Sequence, residues 1–155
     1  MIYDARQVAN WFLNRAQGDG KSLSIMSLLK LTYIAHGWFL QMRNQPLFTN
    51  KIEAWQYGPV MPDVYNAFRS QGVRLKHPVP VSGPQFMQQD VDFLEQIYEI
   101  YGGMSPFKLS DLTHEVGGPW HISRQVGGSY AEIPNDLIKS HYDMKRMKGN
   151  QTDLS

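Results

Sequence analysis

One short motif places a serine and a lysine at a spacing that can support covalent catalysis. Ser27 is followed three residues later by Lys30, and in an S-x-x-K motif such a lysine can deprotonate the serine nucleophile. The S-D-N and K-T-G motifs that accompany it in enzymes are missing from this sequence. Ser27, Lys30 and Gln41 also form a narrow polar stripe on a predicted helix. We therefore interpret them as solvent-exposed residues and expect no catalytic residue.

The histidines lack the spacing of a metal site. His114 begins an H-E-x-x-H-like sequence, but the fifth position is Gly118, so two imidazoles do not share one helix face. His36 lies on the apolar side of a predicted helix, where burial costs free energy unless the ring is hydrogen-bonded. We interpret His36 as a hydrogen-bonded core residue. We expect no metal and no cofactor, because the glycine pairs do not follow strands as phosphate-binding turns do.

Composition excludes several further classes of protein. The chain has 155 residues, no cysteine, and a formal net charge of +1. It therefore has no thiol nucleophile, disulfide or thiolate-bound metal, and its overall charge does not favour nucleic acid or an anionic membrane. The N-terminus lacks the features of a signal peptide, and polar residues interrupt the apolar stretch 25–40. We expect a cytoplasmic protein without a membrane-spanning segment.

Helical periodicity dominates the chain. Apolar residues recur three and four positions apart after Asp4, which predicts a first helix capped by that residue. A second helix, from about Ser24 to Arg43, is apolar around most of its circumference and is expected to be central. Pro62 is well placed to begin a third helix that ends at Gly72. Asp90 is predicted to cap a fourth helix, further helices are predicted to begin near Ser105 and Pro134, and one more turn is predicted over 120–124.

Alternating apolar residues replace the helical period between the second and third helices. We predict a hairpin of two strands, 46–48 and 51–55, joined by a turn at Thr49-Asn50. Tyr57-Gly58-Pro59 is expected to end the second strand. The proline-rich segment 73–84 is predicted to be an extended connection.

These elements together predict the fold class. We expect a mainly α protein, a single helical domain over residues 1–148 that carries one small antiparallel β-hairpin. The polar residues 149–155 are expected to form a C-terminal tail beyond the last helix.

Aromatic residues are unusually dense around the predicted hairpin. Tryptophan and tyrosine are enriched among the residues that dominate binding energy at interfaces, and a Gly-Pro turn would hold them rigidly. The candidate partner-binding residues are Trp55, Tyr57, Gly58, Pro59 and Tyr65. In the alternative interpretation, the same aromatic residues pack the hairpin onto the third helix.

A basic cluster near the C-terminus indicates a second kind of partner. Lys139, Lys145, Arg146 and Lys148 lie close together in sequence, partly offset by Asp136 and Asp143. Such a cluster could contact DNA phosphates, although it more commonly solvates a terminal helix. A DNA-binding regulator therefore stays open as an alternative, and a hydrolase that uses His36 or His114 is a weaker one.

Several sequence blocks occur in a characteristic order. Lys30 through Gly37 is followed by Pro46-Leu47-Phe48 and then by Ile52 through Val60, which contains A-W-x-Y-G-P-V. Leu112-Thr113-His114 and Pro119-Trp120 come later. Over about residues 4–125, this order closely resembles the Panacea antitoxin domain, also called the SocA-like or GepA-like phage-associated family.

The resemblance implies a function as well as a fold. Members are mainly helical cytoplasmic domains of type II toxin–antitoxin systems, and they neutralise a cognate protein toxin by direct binding. The toxin is typically encoded by an adjacent gene in bacteria or their prophages. The resemblance implies neither catalysis nor a cofactor, and it makes the DNA-binding alternative a prophage-associated regulator.

Overall fold

The fold is mainly α-helical with one small antiparallel sheet. A computed structural model describes the backbone of residues 2–154 and the side chains of residues 2–149. Within that range it contains seven α-helices and three short strands, as the fold class predicted. The helices are α1 (Ala5–Gly18), α2 (Ile25–Arg43), α3 (Pro62–Phe68), α4 (Gln88–Tyr101), α5 (Pro106–Thr113), α6 (Pro119–Gly127) and α7 (Asn135–Leu154), and the strands are β1 (Glu53–Trp55), β2 (Gly58–Val60) and β3 (Ala131–Glu132).

Helix α2 is the centre of the domain. It packs against α1, α4, α5 and α7, and residues on all its sides are buried. The predicted polar stripe on this helix is wrong for Ser27 and Lys30, which are 5% and 1% exposed, whereas Gln41 is half-buried. Neighbouring elements cover most of the circumference of this helix, so even these two polar residues enter the core.

The predicted starts of three helices, at Asp4, Pro62 and Ser105, were confirmed. Asp4 caps α1, accepts a hydrogen bond from the Arg6 backbone and forms a capping box with Gln7. Ser105 caps α5 in the same way, and Pro62 occupies the first turn of α3. The side chains of Asp4 and Ser105 accept hydrogen bonds from backbone N–H groups that have no partner within the helix. Pro62 has no N–H group, so it leaves none unpaired at this position.

Asp90 does not cap α4, contrary to the sequence prediction. The helix begins at Gln88, and Asp90 lies buried in its first turn. Its carboxylate accepts hydrogen bonds from the Tyr3 hydroxyl at 2.6 Å and the Arg43 guanidinium at 2.9 Å. Asp90 therefore joins the N-terminus, α2 and α4, which is a tertiary role that a capping pattern does not reveal.

The sheet differs from the predicted hairpin. Strand β1 pairs with β2 on one side and with β3 on the other, in the order β2-β1-β3, all antiparallel. Residues 46–48 form no strand of the sheet, and Gly58-Pro59, predicted as part of the segment that ends a strand, lie in β2. The turn lies at Gln56-Tyr57. Pro59 is compatible with a strand here because β2 is an edge strand.

The remaining connections follow the sequence more closely. Segment 73–84 is extended, as predicted, and Asn10 holds it on α1 through both the amide and the carbonyl of Val79. The last helix continues to Leu154 instead of ending near Gly149, and Ser155 lies outside the described residues. No helix in residues 2–154 is long and apolar enough to cross a membrane.

Helices α2 and α7 make an unusually close contact. A Cβ atom on Gly37 would lie 2.2 Å from the ring of Tyr142, which is itself buried. The residue before Gly37, His36, is 1% exposed; its imidazole stacks on Phe48 and hydrogen-bonds Asn135 Oδ1 through Nε2 at 2.9 Å. The prediction of a core histidine is confirmed for its burial, but among the described residues Nδ1 has no hydrogen-bond partner.

The contact between Gly37 and Tyr142 predicts the effect of a single methyl group. We expect Gly37→Ala to lower the free energy of unfolding by roughly 1–3 kcal/mol, although alanine favours a helix. Gly18→Ala is the matched control, since nothing lies within 4 Å of its Cβ position. Equal stability of the two variants in denaturant titrations would contradict this close packing.

The buried His36 predicts a loss of stability in acid. Burial lowers its pKa from 6.5 to about 4, so between these values only the unfolded chain binds the proton. As the pH falls through this window, His36 should remove up to roughly 3 kcal/mol of stability. We expect His36→Phe to reduce this pH dependence, measured by urea titration at each pH. His77→Gln changes an exposed histidine and should behave like the wild type.

Candidate partner-binding site

The β1–β2 turn, Gln56-Tyr57, is held in place by side chains from three helices. Four backbone carbonyls in and beside the turn accept hydrogen bonds from α2, α5 and α6. The donor and acceptor pairs are Lys30 Nζ to Pro59 at 3.0 Å, Ser110 Oγ to Tyr57 at 3.0 Å, Trp120 Nε1 to Trp55 at 2.6 Å, and Arg124 Nη1 to Ala54 at 3.0 Å. Side chains distant in sequence thus fix the path of this short hairpin.

The ammonium group of Lys30 donates a hydrogen bond to the unpaired edge of β2. The Ala54 carbonyl accepts a hydrogen bond from the Tyr130 amide on the β3 side, so Ala54 and Pro59 form a pair without mutual hydrogen bonds. The Pro59 carbonyl therefore faces away from β1, and Lys30 satisfies it. Burial lowers the Lys30 pKa to about 7.

Gly58 is required at the point where Lys30 approaches the strand. Its φ angle is +123°, a conformation that side chains rarely adopt. An added Cβ would lie 2.8 Å from Lys30 Nζ and 3.5 Å from Thr113 Oγ1. A glycine at this position thus lets the ammonium group reach the Pro59 carbonyl.

The five candidate residues differ widely in exposure. Tyr57 is 64% exposed at the tip of the hairpin, whereas Gly58 and Pro59 are buried and cannot offer side chains to a partner. Trp55 and Tyr65 are half-buried, and their rings meet edge to face at 5.0 Å. The predicted Gly58-Pro59 turn is wrong, because the turn is Gln56-Tyr57. Both interpretations of the aromatic residues thus describe part of the site, and a binding role stays a prediction.

An aromatic groove lies beside the turn. It has a volume of about 280 Å³ and opens between the start of α2 and the sheet. Its lining includes four aromatic side chains, Trp55, Tyr57, Tyr65 and Tyr130, and four residues of α2, Ile25, Met26, Leu29 and Lys30. Sequence reasoning missed Tyr130, which has a left-handed backbone (φ 63°) and packs edge to face on Trp55 at 5.6 Å.

A second shallow groove on the other side of Tyr57 brings together a serine, a histidine and an aspartate. Ser110 Oγ lies 3.3 Å from His114 Nδ1, and His114 Nε2 lies 3.8 Å from Asp111. The single hydroxyl hydrogen of Ser110 is donated to the Tyr57 carbonyl, so the serine is not arranged to give it to His114. The group supports the turn and does not favour the hydrolase alternative.

The Ser27–Lys30 pair and the potential metal ligands are not arranged for catalysis or metal binding among the described residues. Ser27 is buried, and Lys30 donates to the Pro59 carbonyl instead of acting on the serine. Within the part of the chain that the structure describes, no three potential metal ligands come together. The geometry of this region is that of a short hairpin whose backbone is fixed by side chains from three helices.

The contact between Gly58 and Lys30 predicts a specific cost of substitution. We expect Gly58→Ala to lower the free energy of unfolding by about 2 kcal/mol or more, from backbone strain plus the close approach to Lys30. Gly72→Ala is the matched control, since Gly72 also has a positive φ of +85° but nothing within 4 Å of its Cβ position. Equal losses in thermal and urea unfolding would show that Lys30 does not require the glycine.

Comparison with known proteins identifies the family. Residues 28–121 match the family described as antitoxin SocA-like, Panacea domain. The antitoxin SocA of Caulobacter vibrioides is 36% identical over 161 residues, which cover 93% of this chain and 85% of that protein. No solved structure matches the chain. The family match spans Lys30, the β1–β2 turn and Trp120, so most residues that build the candidate site lie within it. The match and the identity to SocA show that this chain belongs to the SocA-like Panacea antitoxin family.

Proposed function

We propose that this antitoxin neutralises a protein toxin by direct, non-catalytic binding, as in a type II toxin–antitoxin system. The toxin is encoded by an adjacent gene, and the complex forms in the cytoplasm. The single observation that carries the proposal is the 64% exposure of Tyr57 on a turn that three helices hold in place. Family membership supports the antitoxin role, and the mode of neutralisation is our inference from this geometry.

The rigidity of the turn suits protein binding. A surface that is already ordered loses little conformational entropy when a partner docks, so more of the contact energy appears as affinity. Tyr57 has further exposed apolar neighbours in Tyr130 (64% exposed), across the aromatic groove, and Phe107 (81% exposed), in the second groove. An aromatic centre with apolar residues around it is typical of an interface hot spot.

The contacts of the C-terminal helix do not favour the DNA-binding alternative. Lys139 pairs with Asp143 at 3.0 Å, and Lys145 pairs with Glu115 on the loop after α5 at 3.0 Å. Arg146 donates to Gln41 at 3.3 Å. These three cations already bind groups within the chain, so phosphate contacts would have to replace internal ones.

Co-expression tests the function directly. The product of the adjacent gene should arrest growth when expressed alone, and this chain should restore growth and co-purify with it. Restoration of growth without any physical complex, either in pull-down or in gel filtration, would contradict neutralisation by direct binding. In that case the antitoxin would act on the toxin gene or on the toxin's target.

Substitution of Tyr57 tests the site. We expect Tyr57→Ala to weaken toxin binding by about 2 kcal/mol, roughly thirtyfold, while the melting temperature stays close to that of the wild type because the side chain is exposed. Ile100→Ala, which truncates a 60% exposed side chain on α4, is the matched control and should bind normally. Wild-type affinity of the Tyr57 variant would move the binding site away from the β1–β2 turn.

A further inference from the structure

Lys30 is a buried cation without a counter-ion. The residue is 1% exposed, and its ammonium group has three N–H bonds but, among the described residues, donates to one acceptor, the Pro59 carbonyl. No carboxylate among the described residues lies within ion-pair distance of it, and burial alone accounts for the lowered pKa. A buried charge that is not paired costs free energy, so an apolar residue would serve packing better.

Lys30 also forms part of the wall of the aromatic groove. Tyr57, Trp55 and Tyr65 surround the opening, and Lys30 contributes the cationic group at its inner end, beside Gly58. The missing side chain of Gly58 leaves room for the ammonium group beside the backbone at the end of the β1–β2 turn. The groove therefore combines apolar walls with one positive charge that has unused hydrogen-bond donors.

We propose that the aromatic groove accepts an aspartate or glutamate side chain of the toxin, whose carboxylate pairs with the Lys30 ammonium group. This inference rests on the proposed function and adds the chemistry of the toxin segment that binds. The carboxylate would supply the counter-ion that the free protein lacks, and the carbon atoms beside it would contact Trp55 and Tyr65. A charge pair that forms in a desolvated groove is stronger than one at an exposed rim.

The charge of the groove favours a carboxylate over a phosphate group. A phosphate carries up to two charges and is usually held by several cations or by a cluster of backbone N–H groups. Lys30 is the one cationic side chain among the groove residues. A single negative charge therefore matches the single positive charge of this site.

Proton uptake distinguishes this pairing from simple packing. Above about pH 7.5 most Lys30 side chains in the free protein are neutral, since the pKa is about 7. A carboxylate partner would raise that pKa, so binding should take up protons and affinity should fall by up to about tenfold per pH unit. The charged or titratable groups on the elements around Lys30 are Glu53, Tyr57, Asp63, Tyr65, Lys108, Asp111, His114, Arg124, Tyr130 and Glu132.

The experiment measures toxin affinity and proton uptake by isothermal titration calorimetry between about pH 7 and 9, in buffers of different ionisation enthalpy. We expect Lys30→Met to weaken binding by at least about tenfold at pH 7 and to abolish the pH dependence. Lys51→Met removes an exposed lysine near the sheet and should change affinity by less than about twofold. Proton uptake by the wild-type chain is measured without any variant, so the test holds even if Lys30→Met does not fold.

Substitutions on the toxin complete the test. One of its aspartates or glutamates, changed to asparagine or glutamine, should weaken binding to the wild type but not to Lys30→Met. Wild-type binding without proton uptake, or without any toxin carboxylate coupled to Lys30, would overturn this inference and leave the proposed function intact. A wild-type chain that does not bind the toxin at all would overturn both. A Lys30→Met variant that binds the toxin normally but loses self-association would assign the groove to a second copy of the chain and overturn the inference.

Discussion

The hydrogen bond from Lys30 to the Pro59 carbonyl connects the central helix to the edge of the sheet. It brings an ammonium group into a largely apolar part of the core. It also gives the Pro59 carbonyl a hydrogen-bond donor on the side of β2 that has no neighbouring strand. The contact requires Gly58, because any side chain there would meet the ammonium group. It also keeps β2 beside α2, so the tyrosine between the strands points outward.

The sequence blocks shared with the family meet at this hairpin. The first block supplies Lys30, and the block around A-W-x-Y-G-P-V supplies the strands and the turn. Thr113 lies beside Gly58, and Trp120 donates to the Trp55 carbonyl. Most of these residues therefore maintain the shape of the turn. Only a few, with Tyr57 foremost, are exposed enough to touch a partner.

The sequence predicted the elements whose signals are local. The helical period, the cap at Asp4, the helix start at Ser105 and the absence of a helix over 73–84 depend on neighbouring residues, and all were confirmed. The burial of Lys30 and the role of Asp90 depend on helices far away in the chain, so periodicity misplaced both. The hairpin was displaced for a related reason. Gly58 and Pro59 are residues that commonly end strands, and only an edge position beside α2 makes them a strand.

The pairing of β3 with β1 has a consequence for synthesis of the protein. Strand β3 follows β1 only after α3 through α6, so the second edge of β1 is paired only when most of the chain has left the ribosome. Until then, β1 presents unpaired backbone groups, and Arg124 and Trp120 are not yet in place to hold the hairpin. Incomplete chains therefore carry an open strand edge, of the kind that can pair with another chain, until β3 is in place.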